Sequence, residues 1–243
     1  MARERLDKML ASRGAGSRKE VGQQIRAGRV TVNGVICRDP VSKVDAQQDD
    51  VCVMGISLRT RKERYFMLNK PAGVISATED AAQKTVLELF PASERAGLAP
   101  VGRLDKDTVG LLLVTDDGAL NHALTAPRRH VDKRYRALVS GTLAENAPEQ
   151  FAAGIVLRDG TECRPAELCI LKQRADGLTE VEVVLHEGKY HQVKRMIAAL
   201  GGHVEQLERL SMGPIALDAD LERGAYRALT ETEIEALFAA CKA

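Results

Sequence analysis

The sequence of 243 residues predicts an α+β fold, with a small domain of two helices and a hairpin followed by a larger domain built on a mixed, mainly antiparallel sheet. Three observations predict this. Apolar residues recur first at helical and then at strand spacing near the amino terminus. Strand patterns outnumber helix patterns from residue 65 onward. They do not alternate regularly with helices, as they would in a parallel sheet.

The first predicted element is a short helix near the amino terminus. Leu6, Met9 and Leu10 follow the i, i+3, i+4 spacing of one apolar helix face. The run Gly14-Ala15-Gly16 is typical of a chain that leaves a helix, so the helix is expected to end before it.

A second helix and a hairpin complete this small domain. Ser17 with Glu20 three residues later forms a capping-box pattern, and Gly28 is suited to a left-handed cap. The dipeptide Asn33-Gly34 between β-branched residues is a strong signal of a two-residue hairpin turn.

The charge of the chain is unevenly distributed. Residues 1–30 carry eight Lys or Arg against three acidic residues, a balance of +5, so the other 213 residues carry −4 of the net +1. A basic segment of this kind favours a polyanionic partner, although a solvated charged face is the simpler alternative. The predicted phosphate-binding residues of this segment are Arg13, Arg18, Lys19, Arg26 and Arg29.

The charged stretch 59–64 is predicted to be a linker between domains 1–58 and 65–243, and its charge could also contact RNA. In the second domain, strands are predicted at 65–69, 111–115, 135–139 and 181–185. Helices are predicted at 85–90, 144–153 and 191–200, with a last one opening at the capping box Thr230-Glu231-Thr232-Glu233. The run Asp116-Asp117-Gly118 is predicted to be a turn.

Composition argues against several classes of protein. Five cysteines show no metal-ligand spacing, no segment resembles a signal peptide, and no apolar run approaches membrane-spanning length. The aspartates at 105, 107, 116 and 117 suggest a Mg²⁺ site, but a turn explains the last two better. We therefore expect a soluble, cytoplasmic monomer without a metal, a cofactor or a membrane partner.

Four segments carry the chemistry, and they occur in one order along the chain. They are Phe66–Gly73, Gly102–Asp105, Lys133–Tyr135 and Glu187–Met196. Together they resemble the signature of RNA pseudouridine synthases, in particular the branch that carries an amino-terminal S4 domain and modifies ribosomal RNA. The helix, helix, hairpin order of residues 3–55 resembles that RNA-binding domain.

The resemblance implies roles for individual residues. Asp105 would be the nucleophile, Arg195 its ion-pair partner, and Tyr135 a ring that stacks on the extruded uracil and assists proton transfer. Lys70 and Arg103 would contact phosphates beside the site. The reaction would be an isomerisation without cofactor, and the partner would be ribosomal RNA or an assembly intermediate.

The resemblance is greatest to the members that act on small-subunit (16S) rRNA, at a uridine-516 type of site. It rests on residues 65–71, 189–195 and 217–221. Three alternatives remain open from the sequence. They are a large-subunit (23S) rRNA enzyme of the same branch, a non-catalytic RNA-binding assembly factor, and a metal-dependent phosphohydrolase that uses the aspartates.

Overall fold

The computed structural model describes residues 3–46, 48–57, 63–126 and 129–241. We call residues 3–57 the head and residues 63–241 the body. The elements of the head are β1 (Glu4–Arg5), α1 (Leu6–Ser12), α2 (Arg18–Arg26), β2 (Val30–Val32), β3 (Val35–Ile36), β4 (Lys43–Val44), β5 (Val51–Val53) and β6 (Ile56–Ser57).

The head forms as its sequence predicts. Glu20 N donates to Ser17 Oγ at 3.4 Å and Ser17 N donates to Glu20 Oε2 at 2.8 Å, so the predicted capping box is present. Asn33 and Gly34 have φ of 51° and 80°, the left-handed conformation of a type I′ hairpin turn between β2 and β3. The apolar faces of both helices pack on this small sheet as a separate core.

The body contains nine strands, four α-helices and one 3₁₀ helix in the part of the chain that the structure describes. The strands are β7 (Tyr65–Lys70), β8 (Ala99–Pro100), β9 (Val109–Thr115), β10 (Lys133–Gly141), β11 (Glu167–Gln173), β12 (Thr179–Leu185), β13 (Gly202–Met212), β14 (Ile215–Ala216) and β15 (Tyr226–Ala228). The helices are the 3₁₀ turn Val86–Leu89, α3 (Gly118–Thr125), α4 (Ala147–Ala153), α5 (Gln192–Ala199) and α6 (Glu231–Ala240).

One sheet joins the strands of the body in the order β11-β12-β10-β13-β9-β7-β15, with β8 paired to β9 and β14 to β13. Among these pairs, only β13 with β9 is parallel. The predicted α+β fold with a mixed, mainly antiparallel sheet is therefore confirmed. Strand β9 packs alternate side chains into two apolar clusters on opposite faces, which explains why it reads as a continuous apolar run.

Several predicted elements differ in detail. The predicted helix at 85–90 is a 3₁₀ turn, α4 begins at Ala147, and the predicted turn at 116–118 leads directly into α3, which Asp117 caps. Strand β13 was not predicted because its outward positions are polar and hide the alternation of its inward ones.

Most of the predicted linker lies outside the described residues. Its last residue, Arg64, belongs to the body, since its backbone N and Nε donate to Asp116 at 2.7 and 2.8 Å. The predicted domain boundaries otherwise stay predictions.

Gly110 fixes the distance between the two strands that meet beside the site. It has φ +98°, and a Cβ there would lie 2.3 Å from Arg209 O and 2.9 Å from Arg209 N. Only glycine permits both this conformation and this approach of the β13 backbone.

We predict that Gly110→Ala lowers the free energy of unfolding by on the order of 3 kcal/mol, because the left-handed conformation and the overlap each add a cost. Gly177 is a matched control, since it has φ +81° with nothing within 4 Å. Gly177→Ala should cost about 1 kcal/mol. Urea unfolding of both variants measures the difference, and equal losses would contradict the importance of the close approach.

Candidate active site

A cleft of about 480 Å³ opens on the body at the ends of β9, β10, β12 and β13. This volume is typical of small-molecule sites and is large enough for one extruded nucleoside. Three of the four motif segments contribute to its wall through residues 102–106, 133–135 and 187–193. The sequence motifs therefore converge at one place in the fold.

Asp105 lies in the loop between β8 and β9, with its side chain 29% exposed to the cleft. Hydrogen bonds hold the backbone of the loop around it. Ser76 Oγ donates to Leu104 O at 2.9 Å and accepts from Leu104 N at 3.0 Å. Gly73 N donates to Lys106 O at 2.8 Å. The carboxylate thus stands on a backbone fixed on both sides.

Lys70 is the centre of this arrangement. It lies at the end of β7, fully buried, and its ammonium group donates to backbone carbonyls of the loop. The distances are 3.0 Å to Asp105 O, 2.8 Å to Thr108 O, 3.4 Å to Lys106 O and 3.1 Å to Pro71 O. Burial lowers the pKa of Lys70 to about 8, while Asp107 and Asp105 act in the opposite direction.

The prediction that Lys70 contacts a phosphate is wrong. A phosphate cannot reach a side chain that is completely buried and already donates to backbone carbonyls. The residue type alone suggested a surface cation, because lysine is rarely fully buried. Here carbonyl oxygens take the place of water around the ammonium group.

Two side chains of the α5 region face Asp105. Lys194 Nζ lies 3.6 Å from Asp105 Oδ2, and His191 Nε2 lies 3.5 Å from Asp105 Oδ1. Lys194 also donates to Asp107 Oδ1 at 2.5 Å, and this hydrogen bond lowers the pKa of the Asp107 carboxyl. Lys194 therefore balances the charge of two carboxylates at once.

The predicted ion pair between Arg195 and Asp105 is not present. Arg195 Nη2 instead lies 2.5 Å from Asp159 Oδ2. The position opposite Asp105 is occupied by Lys194, the residue before Arg195 on α5. One residue corresponds to about 100° of helix rotation, and the motif alone does not show which of two adjacent cations faces Asp105.

Tyr135 lies on β10, which pairs it with Val183 on β12 and Arg209 on β13. Its ring is 8% exposed and lines the cleft beside Leu185. Arg103 is exposed at the rim of the same cleft. Both positions are compatible with the roles predicted for these residues, which stay predictions.

Two further cations lie in the cleft wall. Arg209 has no counterpart in the sequence analysis, and Lys133 belongs to a motif segment in which it was given no role of its own. Arg209 is 1% exposed, its Nε donates to Leu111 O at 2.8 Å, and its buried Nη2 has no hydrogen-bond partner among the described residues. Lys133 Nζ donates to Val131 O at 2.8 Å, and burial lowers its pKa to about 8. A period-two count along β13 would have placed Arg209 inward with Leu207.

The head brings some of its predicted RNA-binding residues together. Arg18, Lys19 and Arg26 line one groove on its surface, to which Arg38 also contributes. The other two predicted residues lie apart from this groove: Arg13 donates to Ala46 O at 3.2 Å, and Arg29 lines a different depression.

The described residues offer neither a metal-binding cluster nor a membrane-spanning helix. No group of three or more His, Cys, Asp and Glu side chains in ranges 3–46, 48–57, 63–126 and 129–241 could hold a metal ion. Within the same part of the chain, no helix has the length and apolar character needed to cross a membrane.

A head with an S4-like arrangement, followed by a body whose cleft is lined by cations and one aspartate, indicates an RNA-modifying enzyme. Comparison with known proteins agrees. The family model described as RNA pseudouridylate synthase matches residues 64–199, and the S4 domain model matches residues 4–51. The chain belongs to the RNA pseudouridine synthase family and is an enzyme that isomerises uridine to pseudouridine.

Relatives match along nearly the whole chain. The "Uncharacterized RNA pseudouridine synthase YtzG" of Bacillus subtilis (strain 168) is 43% identical over 96% of this chain and 98% of its own. The "Ribosomal small subunit pseudouridine synthase A" of Escherichia coli (strain K12) is 43% identical over 95% and 98%. A solved structure, "Crystal structure of pseudouridylate synthase", has a TM-score of 0.70 and 38% identity, covering 96% of this chain and 99% of the solved one.

We predict that Lys70→Met lowers the free energy of unfolding by roughly 2 kcal/mol at pH 7, because buried carbonyls of the Asp105 loop lose their donor. The turnover number should fall as well, since the loop is no longer fixed. Lys106→Met is the matched control, because Lys106 is exposed on the same loop and its loss should change stability by less than about 0.5 kcal/mol.

The pH dependence of stability separates this role from a simple packing effect. The pKa of Lys70 is lowered to about 8 from 10.5. The free-energy cost of burying the charged form is therefore fully present below pH 8, and it disappears as the pH rises toward 10.5. The wild type should therefore gain about 2 kcal/mol relative to Lys70→Met between pH 8 and pH 10. If the unfolding free energies of the wild type and Lys70→Met ran parallel against pH, the lowered pKa would not belong to Lys70.

A second prediction separates the two neighbouring cations of α5. Lys194→Met should lower the turnover number on the order of 10²-fold, because it removes the positive charge opposite Asp105. Arg195→Met should change it far less, since Arg195 faces Asp159. Single-turnover rates measure both, and Lys194→Arg should restore part of the activity. A larger loss with Arg195→Met would reinstate the ion pair predicted from the motif.

Proposed function

We propose that this protein converts one uridine of small-subunit (16S) ribosomal RNA, at a uridine-516 type of site, to pseudouridine with Asp105 as the nucleophile. The observation that carries the proposal is the position of Asp105, which faces the cleft from a backbone loop held by Lys70. The name of the Escherichia coli relative supports the choice of the small subunit.

The reaction exchanges one bond to the sugar for another. The C1′–N1 bond of uridine breaks, the uracil rotates, and C5 bonds to the same C1′, while the proton on C5 leaves and N1 gains one. Nothing is oxidised or reduced, and no group comes from a second substrate. The enzyme therefore needs to supply a nucleophile, proton transfer, and a site in which the detached uracil stays in place.

Asp105 supplies the nucleophile in this proposal. Its carboxylate attacks C1′, adds to C6 of the base, or assists elimination to a glycal, and each route requires the same negatively charged group beside the sugar. Lys194 and His191 hold the carboxylate from the side of α5. Lys70 donates to the carbonyl oxygens of the Asp105 loop and so fixes the backbone of Asp105. Little reorganisation of the site is therefore needed as the reaction begins.

The part of the cleft wall formed by β10 and β13 is suited to the uracil. The ring of Tyr135 offers a flat surface for the base, and its hydroxyl is the proposed group for proton transfer at C5. The uracil departs with the bonding electrons and carries negative charge. Arg209 and Lys133 place positive charge in the same wall, which stabilises that charge while the base rotates.

The head is proposed to hold the RNA while the body performs the chemistry. Exposed cations in one groove contact phosphates without reading sequence, and the affinity so gained offsets part of the cost of extruding the uridine. Arg18, Lys19 and Arg26 are the proposed contacts in the head and Arg103 the contact at the cleft rim. The proposed partner is the rRNA or its assembly intermediate, bound by a cytoplasmic monomer.

The test is pseudouridine mapping on unmodified small- and large-subunit rRNA and on partly assembled particles, in the presence of EDTA. The wild type should form a single new pseudouridine in small-subunit RNA. Asp105→Asn should reduce the rate on the order of 10³-fold or more, because a neutral amide is no nucleophile.

Each other outcome changes a different part of the proposal. The product in large-subunit RNA would keep the mechanism and replace the substrate. Activity lost in EDTA would favour metal-dependent chemistry. No product on any of these RNAs would overturn the assignment of ribosomal RNA as the substrate.

A further inference from the structure

Tyr190 stands out among the aromatic residues of this chain. The sequence contains four Tyr, four Phe and no Trp. The Tyr190 side chain is 70% exposed, compared with 38% for Phe238 and 8% for Tyr135. It lies at the rim of the cleft that holds Asp105. An exposed ring contributes little to folding, so its position calls for another explanation.

The ring of Tyr190 is held flat by its neighbour. It stacks on His191 with centroids 3.8 Å apart and an angle of 19° between the planes. His191 caps α5 in the left-handed conformation, with φ 48° and ψ 36°. That conformation is uncommon for a residue other than glycine and is often found at functional sites. It allows His191 to approach Asp105 on one side and carry Tyr190 on the other.

The distances around His191 indicate that the RNA strand passes close to the ring of Tyr190. The reacting C1′ must approach the Asp105 carboxylate to about 3–3.5 Å. His191 Nε2 is 3.5 Å from that carboxylate, and Tyr190 stacks directly on the same imidazole. The nucleotides next to the extruded uridine therefore pass within reach of Tyr190. Extrusion leaves one of their bases without a stacking partner, and an aromatic side chain replaces such a partner well.

We propose that Tyr190, supported by His191, is a stacking platform for the RNA base next to the extruded uridine. The platform compensates for the stacking lost on extrusion and holds the strand while Asp105 reacts. This role differs from that of Tyr135, whose buried ring faces the extruded uracil itself. The inference rests on the proposed function only in requiring an RNA substrate with an extruded uridine, whichever ribosomal subunit supplies it.

The first test uses variants of Tyr190 on an RNA fragment that carries the mapped uridine. Tyr190→Phe retains the ring and should keep the single-turnover rate within about threefold. Tyr190→Leu retains apolar surface without a π-face and should lose roughly ten- to hundredfold in kcat/KM. Phe238→Leu removes a part-exposed ring that packs against Tyr65 and does not line the cleft, so it should leave kcat/KM unchanged. Wild-type rates for Tyr190→Leu would overturn the proposal.

A double-mutant cycle tests the contact itself. An abasic nucleotide next to the uridine should slow the wild type as much as Tyr190→Leu does. This effect should occur on one side of the uridine, either 5′ or 3′, and be absent on the other. The same RNA should slow Tyr190→Leu no further, because the two changes remove one interaction. Losses that multiply on both sides would show that Tyr190 does not stack on a neighbouring base. The RNA change alone tests the proposal even if a variant is unstable.

Fluorescence gives a readout that a purely structural role would not change. 2-Aminopurine at the side identified by the cycle should be quenched when Asp105→Asn binds the fragment, since this variant keeps the platform. Quenching should persist when Tyr190→Phe is added and disappear when Tyr190→Leu is added. A failure of the proposed reaction would appear as absent product with normal quenching, which distinguishes the two proposals.

Discussion

The site depends on one buried cation, the ammonium group of Lys70. Lys70 is fully buried at the end of β7, and it takes the carbonyl oxygens of the Asp105 loop as its ligands. These ligands are backbone atoms, so the interaction fixes chain geometry and leaves the Asp105 side chain free to react. Lys70 thus anchors the Asp105 loop to strand β7 of the sheet.

With the Asp105 loop fixed by Lys70, the reaction needs few further groups. Lys194 and His191 approach Asp105 from α5, while Lys133 and Arg209 lie in the sheet. Positive charge therefore surrounds the cleft on two sides, with Asp105 as its negative centre. In the proposed reaction, such charges stabilise both the Asp105 carboxylate and the anionic departing base without moving. Positioning and electrostatics then supply most of what an isomerisation requires.

Local signals in the sequence predicted local structure well. The capping box at Ser17, the Asn33-Gly34 turn and the run that contains Asp105 depend on neighbours within a few residues, and the structure has the first two in the predicted form. The motif segments also lie together in the structure, as expected for segments that form the signature of one family.

The errors arose where long-range contacts decide the outcome. Lys70 is buried because a loop 35 residues away supplies its ligands. Arg195 pairs with Asp159, while its neighbour Lys194 lies opposite Asp105. Arg209 lies in a strand whose polar outer face hid its pattern. In each case the residue is a cation by type, and only the tertiary structure determines what the cation faces.

The position of α5 connects the chemistry to the RNA. Its amino-terminal cap, His191, has a left-handed backbone that turns one imidazole toward Asp105 and toward Tyr190 at once. A residue with ordinary helical φ at this point would start the helix earlier and carry the ring away from the cleft rim. The uncommon conformation of one residue thus connects Asp105 to Tyr190, the carboxylate and the ring to which the two proposals assign the reaction and RNA stacking. In these proposals, extrusion of the uridine and the reaction at Asp105 share this element, so a strand that stacks correctly on Tyr190 is also placed correctly for Asp105.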